Sequence, residues 1–482
     1  VDNPLLGEND VNRLHIHGGR GNLRLAIGGG WTLDLGGIYQ ATISDDAQYA
    51  DKDSAPLTHN GAVEQPANAH YGSAMLVVTK DWDDLHFQSS NAFVDHRLNE
   101  RFDASIEDGP PRILDQNIAT RMLTSETRLS RPFHNGSGWV LGVSVVENRA
   151  RQQREFGVLS LRTPVTGVSN TITEVTGYGE ATVAIAPDTI ASAGLRFSHA
   201  QLGGMGEDVP LAIAIAGQRI TAHRNEHDLL PSASLLSRPF ANVTVFARYQ
   251  EGFRPGGLAI DGNFVGRFRN DHVSTYEAGL RIAGDRTLPV DAALSISHTR
   301  WRDIQADFVD VNGFPTTANI GNGRITSVSA SLVITPARAL SLEFGAVYNH
   351  SRVDQLSPLL AQFSLTRLGH IPNVASHAVR GAINYTLALG DADLRFNGWA
   401  HYVGPSRLGI GPILGDSQGD YVDTGLAARL GNDSRGVSVT LTNLFDAKGN
   451  RFALGSPFFE GNSDVLTPLR PRTLRVAVDI AY

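Results

Sequence analysis

The chain has 482 residues, with 41 Lys and Arg against 49 Asp and Glu, so its formal net charge is −8. That mild acidity excludes a nucleic-acid footprint, which needs a clustered basic surface. The absence of cysteine excludes a disulfide framework, a thiolate nucleophile and a Cys-based metal site. Mean hydropathy is −0.14, and no apolar run approaches the roughly 18 residues of a transmembrane helix; the longest candidate, "VPLAIAIAG", is half that length.

The opening stretch, "VDNPLLGENDVN", has no initiator Met and no signal peptide. It reads as an external loop leading into "RLHIHGGRGNLRLAI", whose strand includes Arg24 to Ile27. From there the dominant period is two. "WTLDLGGIYQ" sets Trp31, Leu33, Leu35 and Tyr39 opposite Thr32, Asp34 and Gln40. "GWVLGVSVVEN" and "NVTVFARYQ" follow the same pattern. "LSLEFGAVYN" sets Leu340, Leu342, Phe344, Ala346 and Tyr348 opposite Ser341, Glu343 and Asn349. "DLRFNGWAHY" sets Leu394, Phe396, Ala400 and Tyr402 opposite Arg395, Asn397 and His401. The chain ends in "RPRTLRVAVDIAY", with Leu474, Val476, Val478, Ile480 and Tyr482 on one face. About nineteen such segments occur, many of ten or more residues, where ordinary strands run nearer 5–6.

The connections alternate in length. Short ones hold turn residues, as in "IGGGWT", "KDWDD", "APDT", "AGDRT" and "LGDAD". Long polar loops are expected over Ser44–His70, Asp103–Ala119, Ala150–Asn170, Gly203–Asn225 and Pro255–Asp271. Loops sorted in this way predict an all-β, antiparallel transmembrane β-barrel, with short turns in the periplasm and long loops outside. In lipid every backbone N–H and C=O must be paired within the protein, so a spanning sheet must close on itself. One face then meets hydrocarbon and the other a polar lumen, which explains a membrane protein of near-zero hydropathy. Trp31, Trp82 and Trp139 at the short turns, and Tyr39, Tyr348 and Tyr402 toward the other ends, fit two interfacial aromatic bands. Tyr482 belongs to the lower band.

Four stretches in order resemble the barrel of TonB-dependent outer-membrane receptors: "YQEGFRPGG" (Tyr249–Gly257), "STYEAGLR" (Ser274–Arg281), "LTNLFDAKGNRFA" (Leu441–Ala453) and the closing "PRTLRVAVDIAY". The resemblance covers essentially the whole chain, residues 1–482, as one barrel domain. It implies energised uptake of a bulky, scarce solute, such as an iron–siderophore complex, across the Gram-negative outer membrane. The implied partners are outer-membrane lipid and lipopolysaccharide, a small-molecule ligand, and the inner-membrane TonB complex acting through an N-terminal plug. No plug and no TonB-binding box is found in the sequence. About 19 strands are counted of an expected 22, and barrels of this kind have an even number. The expectation is therefore a C-terminal portion lacking the plug and first strands, with a seam or a forced pairing between the first and last strands.

No catalytic constellation is present: there is no G-x-S-x-G, H-E-x-x-H, P-loop or complete G-x-G-x-x-G. An enzyme is not expected, and no cofactor is implied. His15 and His17 share a strand face and can in principle hold a metal, but with no third ligand nearby they read as lumen-facing polar residues. The loop "RPGGLAIDGNFVGRFRNDH" carries Arg254, Arg267, Arg269 and His272 with Phe264 and Phe268. That mixture suits an anionic or aromatic solute; the alternative is a solvated loop. Competing functions are a passive porin of similar architecture and, further off, an outer-membrane barrel enzyme.

Overall fold

A computed structural model describes residues 1–52, 54–106, 109–208, 223–261, 264–284, 289–309, 315–357, 369–409, 417–451 and 465–481. Among these there is no helix. Nineteen strands form one sheet, each antiparallel to the next in chain order. They begin with Leu14–Gly28 and Trp31–Ser44 and end with Tyr421–Gly431, Arg435–Thr442 and Thr473–Ile480. Several are far longer than ordinary strands: Arg112–His134 has 23 residues, Ser137–Val158 has 22 and Leu161–Ala186 has 26.

The turn chemistry at one end accounts for the short connections. Gly28, Gly29 and Gly30 all have positive φ, which glycine adopts without a Cβ penalty. Asn135 and Gly136 both have positive φ, as a two-residue hairpin of matching twist requires. At the other end, two of the expected long loops turn out to be continuations of the sheet. The ladder between Ser137–Val158 and Leu161–Ala186 runs up to Val158↔Leu161, leaving a two-residue turn where a loop over Ala150–Asn170 was expected. Likewise Ile113–Ala119 is paired with Asp103–Arg97. Polar residues on both faces disguise these extensions, because the period-two alternation fades there. Of Gly203–Asn225, the residues from 209 to 222 lie outside the described residues, as does Tyr482.

Cross-strand register sorts the residues onto two faces. Leu474, Val476 and Val478 lie opposite Leu441, Val439 and Val437, all on one apolar face; Val478 is 68% exposed. Arg475 and Asp479 take the other face, where Arg429 donates to both Asp479 carboxylate oxygens. His17 pairs with Ala41 and Leu23 with Leu35, so His15 and His17 lie on the apolar face and not with the polar residues. They sit near the start of the strand, opposite Ile43 and Ala41. Aromatic side chains cluster at the short-turn end of neighbouring strands: Trp31 meets Phe87 edge-on at 6.0 Å, and Lys80 lies over Trp31 at 5.1 Å and Trp82 at 5.4 Å.

The sheet is open between its first and last strands. Leu14–Gly28 pairs only with Trp31–Ser44, and Thr473–Ile480 only with Arg435–Thr442, among the described residues. Both edge strands are exposed along their whole length. Nineteen is odd, so the two edges run in the same direction and cannot form an antiparallel ladder with each other. Among the described residues, the strand pairing that bridges the seam is at the rim, where Val465–Leu466 pairs with Ala50–Asp51. Residues 1–12 pack at that same end: the Asp2 amide donates to the Leu57 carbonyl at 2.9 Å, and Asn3 Nδ2 to the Gly61 carbonyl at 3.0 Å.

Candidate functional site

The strands Val243–Arg254 and Asp271–Ile282 are joined by a small hairpin, Gly257–Asp261 against Phe264–Phe268. The hairpin folds into the interior of the curved sheet. Leu258, Ile260 and Val265 bury themselves against Val168 of the strand Leu161–Ala186, three strands away in the sheet.

Polar side chains from surrounding strands hold the hairpin there. Asn170 Oδ1 accepts from the Leu258 amide at 2.9 Å while its Nδ2 donates to the Leu258 carbonyl at 3.0 Å. Arg224 donates to the Phe268 carbonyl at 2.9 Å. Gln305 Nε2 donates to the carbonyls of Pro255 and Arg269, both at 3.1 Å. Asn319 accepts from the Arg269 amide at 2.6 Å and donates to its carbonyl at 3.0 Å. The "RPGG" stretch follows from this crowding: a Cβ on Gly256 would sit 2.0 Å from Arg224 Nη2 and 2.3 Å from the Phe268 carbonyl oxygen.

The four basic residues of this loop have separate placements. Arg254 pairs with the buried Asp271 at 2.6 Å and also donates to the Gln305 carbonyl. Arg269 pairs with Asp303 at 2.6 Å. Both brace the base of the hairpin. Arg267 is exposed on its second strand. His272 follows Asp271 directly and so takes the opposite strand face, with Nε2 3.3 Å from Glu251. Phe268 lines the cavity described next, and the Phe264 side chain lies outside the described residues.

Beside the hairpin is a cavity of about 690 Å³ that spans the interior, from Glu100 and Gln116 on one wall to Asp307 and Thr316 on another. Its polar lining is connected. Gln116 donates to Glu100 at 2.9 Å, and its carbonyl oxygen accepts from Gln152 at 2.5 Å and from the buried Arg154 at 3.1 Å. Tyr49, from the loop after the second strand, also lines it. Burial first, and the nearby Glu100 second, push the Tyr49 phenol up to about 12. In the same loop, burial opposes ionisation of Asp51, but hydrogen bonds from His59 and Asn60 outweigh it and hold the carboxyl below its ordinary value. Gln116, Gln152 and Arg154 lie in stretches that read from sequence as loops; the alternating polar residues of "DQNIA" and "RQQRE" are the signal for them.

A long antiparallel meander wrapped round a polar interior, with short turns at one end and elaborated connections at the other, is a barrel of the transmembrane class. The model of the family described as TonB dependent receptor-like, beta-barrel, matches residues 3–447, and the chain belongs to that family. It is similar in structure to the ferric yersiniabactin uptake receptor FyuA from Yersinia pestis, at TM-score 0.82 and 18% identity over 99% of this chain and 72% of that one. It is also similar to the siderophore receptor PiuA from Acinetobacter baumannii, at TM-score 0.76 and 14% identity over 98% and 75%. The copper transporter OprC aligns at TM-score 0.69 and 15% identity over 100% and 74%. At these identities the likeness is one of fold. No curated protein matches the sequence significantly.

Proposed function

We propose that the chain forms the outer-membrane barrel of a receptor for energised uptake of a bulky, scarce solute, an iron–siderophore complex being the leading class. The observation that carries this reading is the clamped hairpin beside a cavity of about 690 Å³, a volume within the range of small-molecule sites. A hairpin braced in the interior gives a receptor a rigid platform for its ligand, and the family to which the chain belongs favours that use of it over the constriction of a passive pore. On this reading Arg267 and Phe268 present the hairpin to the solute, Gln152 and Arg154 supply donors from the wall, and Arg254 and Arg269 hold the base. His272 acts with Glu251 at the rim.

The unpaired sheet edges belong to the same proposal. An open edge leaves backbone groups unsatisfied in hydrocarbon, so an odd number of further strands lies between Leu14–Gly28 and Thr473–Ile480 in the membrane. Coupling to the TonB complex through a plug completes it. Single-channel recording of the full-length protein in planar bilayers tests the reading. A receptor shows no persistent open conductance; a steady, ohmic, porin-like current would overturn it.

A further inference from the structure

At the rim, where the chain enters its first strand, lies a second cavity of about 560 Å³. It is enclosed by residues 8–13, by the turn that follows Trp31–Ser44 and by residues 64–68, and it shares no lining residue with the cavity beside the hairpin. Five carboxylates line it, Glu8, Asp10, Asp45, Asp46 and Glu64, against one cation, Arg13. With every carboxyl ionised the lining carries 1 − 5 = −4. Like charges gathered in this way repel, and none of the six side chains forms an ion pair among the described residues.

Four of the carboxylates are exposed at the mouth. Asp46 is not: it is 2% exposed. Its Oδ1 accepts from the Ala47 amide at 2.7 Å and the Gln65 amide at 2.8 Å, while Oδ2 is buried with no hydrogen-bond partner among the described residues. Asn68, opposite Ile43 in the ladder, adds to the same lining a second buried acceptor without a donor, its Oδ1. Burial raises the Asp46 carboxyl above its ordinary value against those amide hydrogen bonds, as expected of a carboxylate short of a counter-charge. A buried acceptor left without a donor is costly, and two on one wall ask for a donor from outside the chain.

The chemistry of that donor follows from what is left open. A guanidinium takes a carboxylate through both oxygens, but Asp46 Oδ1 is already committed to two amides. A bare hard cation needs several oxygens converging on one point, and no three His, Asp or Glu side chains do so among the described residues. A primary ammonium needs only separate acceptors for its three N–H bonds. The other carboxylates are spread round the mouth of a cavity large enough for an organic molecule, and they call for further positive charge at a distance from the first.

We propose that this cavity binds a small linear polyamine, with one terminal ammonium on Asp46 Oδ2 and Asn68 Oδ1 and its remaining charges among Glu8, Asp10, Asp45 and Glu64. The site stands apart from the proposed solute cavity and does not depend on which solute the barrel carries.

The test is isothermal titration calorimetry of the full-length protein in detergent, with spermidine, calcium chloride and guanidinium chloride as separate titrants. Spermidine is expected to bind saturably, one per chain, and more tightly than the other two. Asp46→Asn keeps the side-chain shape and an acceptor for the two amides but turns the free oxygen into a donor; it should lower spermidine affinity about tenfold or more through the lost charge-assisted bond. Glu8→Gln with Glu64→Gln, both at exposed positions, should lower it by a smaller factor. Asp83→Asn, exposed on a short turn at the other end of the sheet, should change nothing. Heat-modifiable migration in gels reports folding of each variant, and if Asp46→Asn does not fold, the double variant decides. The proposal is overturned if spermidine shows no saturable binding, if folded Asp46→Asn or the double variant binds as wild type does, if Asp83→Asn weakens binding as much as they do, or if calcium or guanidinium binds as tightly as spermidine.

Discussion

Asn170 completes the edge of the Leu258 backbone as a strand would: its amide oxygen accepts from the Leu258 N–H at 2.9 Å and its nitrogen donates to the Leu258 carbonyl at 3.0 Å. One side chain thus ties the inward hairpin to a wall strand 88 residues away in sequence. Asn170→Ala removes both bonds and leaves two partly buried backbone groups unpaired, at about 1–3 kcal/mol each. The hairpin amides should exchange with deuterium faster while those of Asp271–Ile282 do not. Unchanged exchange over Gly257–Phe268 would show that Arg224, Gln305 and Asn319 hold the hairpin without Asn170.

Gly256 is there because of close approach. Gly256→Ala drives a Cβ into the Phe268 carbonyl oxygen, a backbone atom that cannot swing aside. The expected cost is about 1–3 kcal/mol, read as increased protease cleavage between residues 255 and 270. Gly21→Ala, where an added Cβ meets nothing within 4 Å, is the matched control and should be neutral. Equal sensitivity of the two variants would contradict the packing account.

The two faces of the last strand differ in what they tolerate. Val478→Arg places a cation on the apolar face and should cost roughly 2–4 kcal/mol near the membrane midplane. Ala477→Arg places it beside Ser438 on the polar face and should cost several times less. Denaturant titration of barrels refolded in lipid separates the cases, and equal costs would reverse the face assignment.

Tyr49 gives a pH dependence with a definite sign. Its phenol is raised from 10.0 to about 12, so the packed loop favours the neutral form. That contribution is whole below pH 10 and is lost as the pH rises through 12. The phenolate absorbance of wild type minus Tyr49→Phe should appear near pH 12, after the exposed tyrosines. A difference spectrum that titrates at 10 would mean the loop leaves Tyr49 in water.

Most of the barrel is written in the period-two pattern. Lipid demands one apolar face and closure demands length, and both mark the sequence directly, as in Leu474 to Ile480. The stretch "LTNLFDAKGNRFA" was legible through its resemblance to the receptor family, and the structure makes a turn at its start. Asn443 has positive φ, accepts from the Ala447 amide at 2.7 Å and donates to the Arg470 carbonyl at 2.8 Å, a local turn of the sort that short polar residues announce. What the sequence concealed lies above the membrane. There the alternation fades, so Arg112–Ala119 and Ala150–Val158 read as loop although they continue the ladder. Folding of the hairpin toward Val168 depends on contacts far apart in sequence, which no local pattern encodes. The ion pairs of Arg254 with Asp271 and of Arg269 with Asp303 were not legible either, because these partners become neighbours only in the folded chain.

The central claim is energised uptake, and its most direct measurement is radioiron accumulation by cells that express the full-length protein as their only receptor of this kind. The iron is offered on a panel of hydroxamate, catecholate and carboxylate siderophores. The account predicts saturable accumulation with at least one of them, abolished when an uncoupler collapses the proton gradient or when the TonB complex is deleted. Accumulation that is linear in concentration and unaffected by either treatment would identify a passive pore and contradict the account.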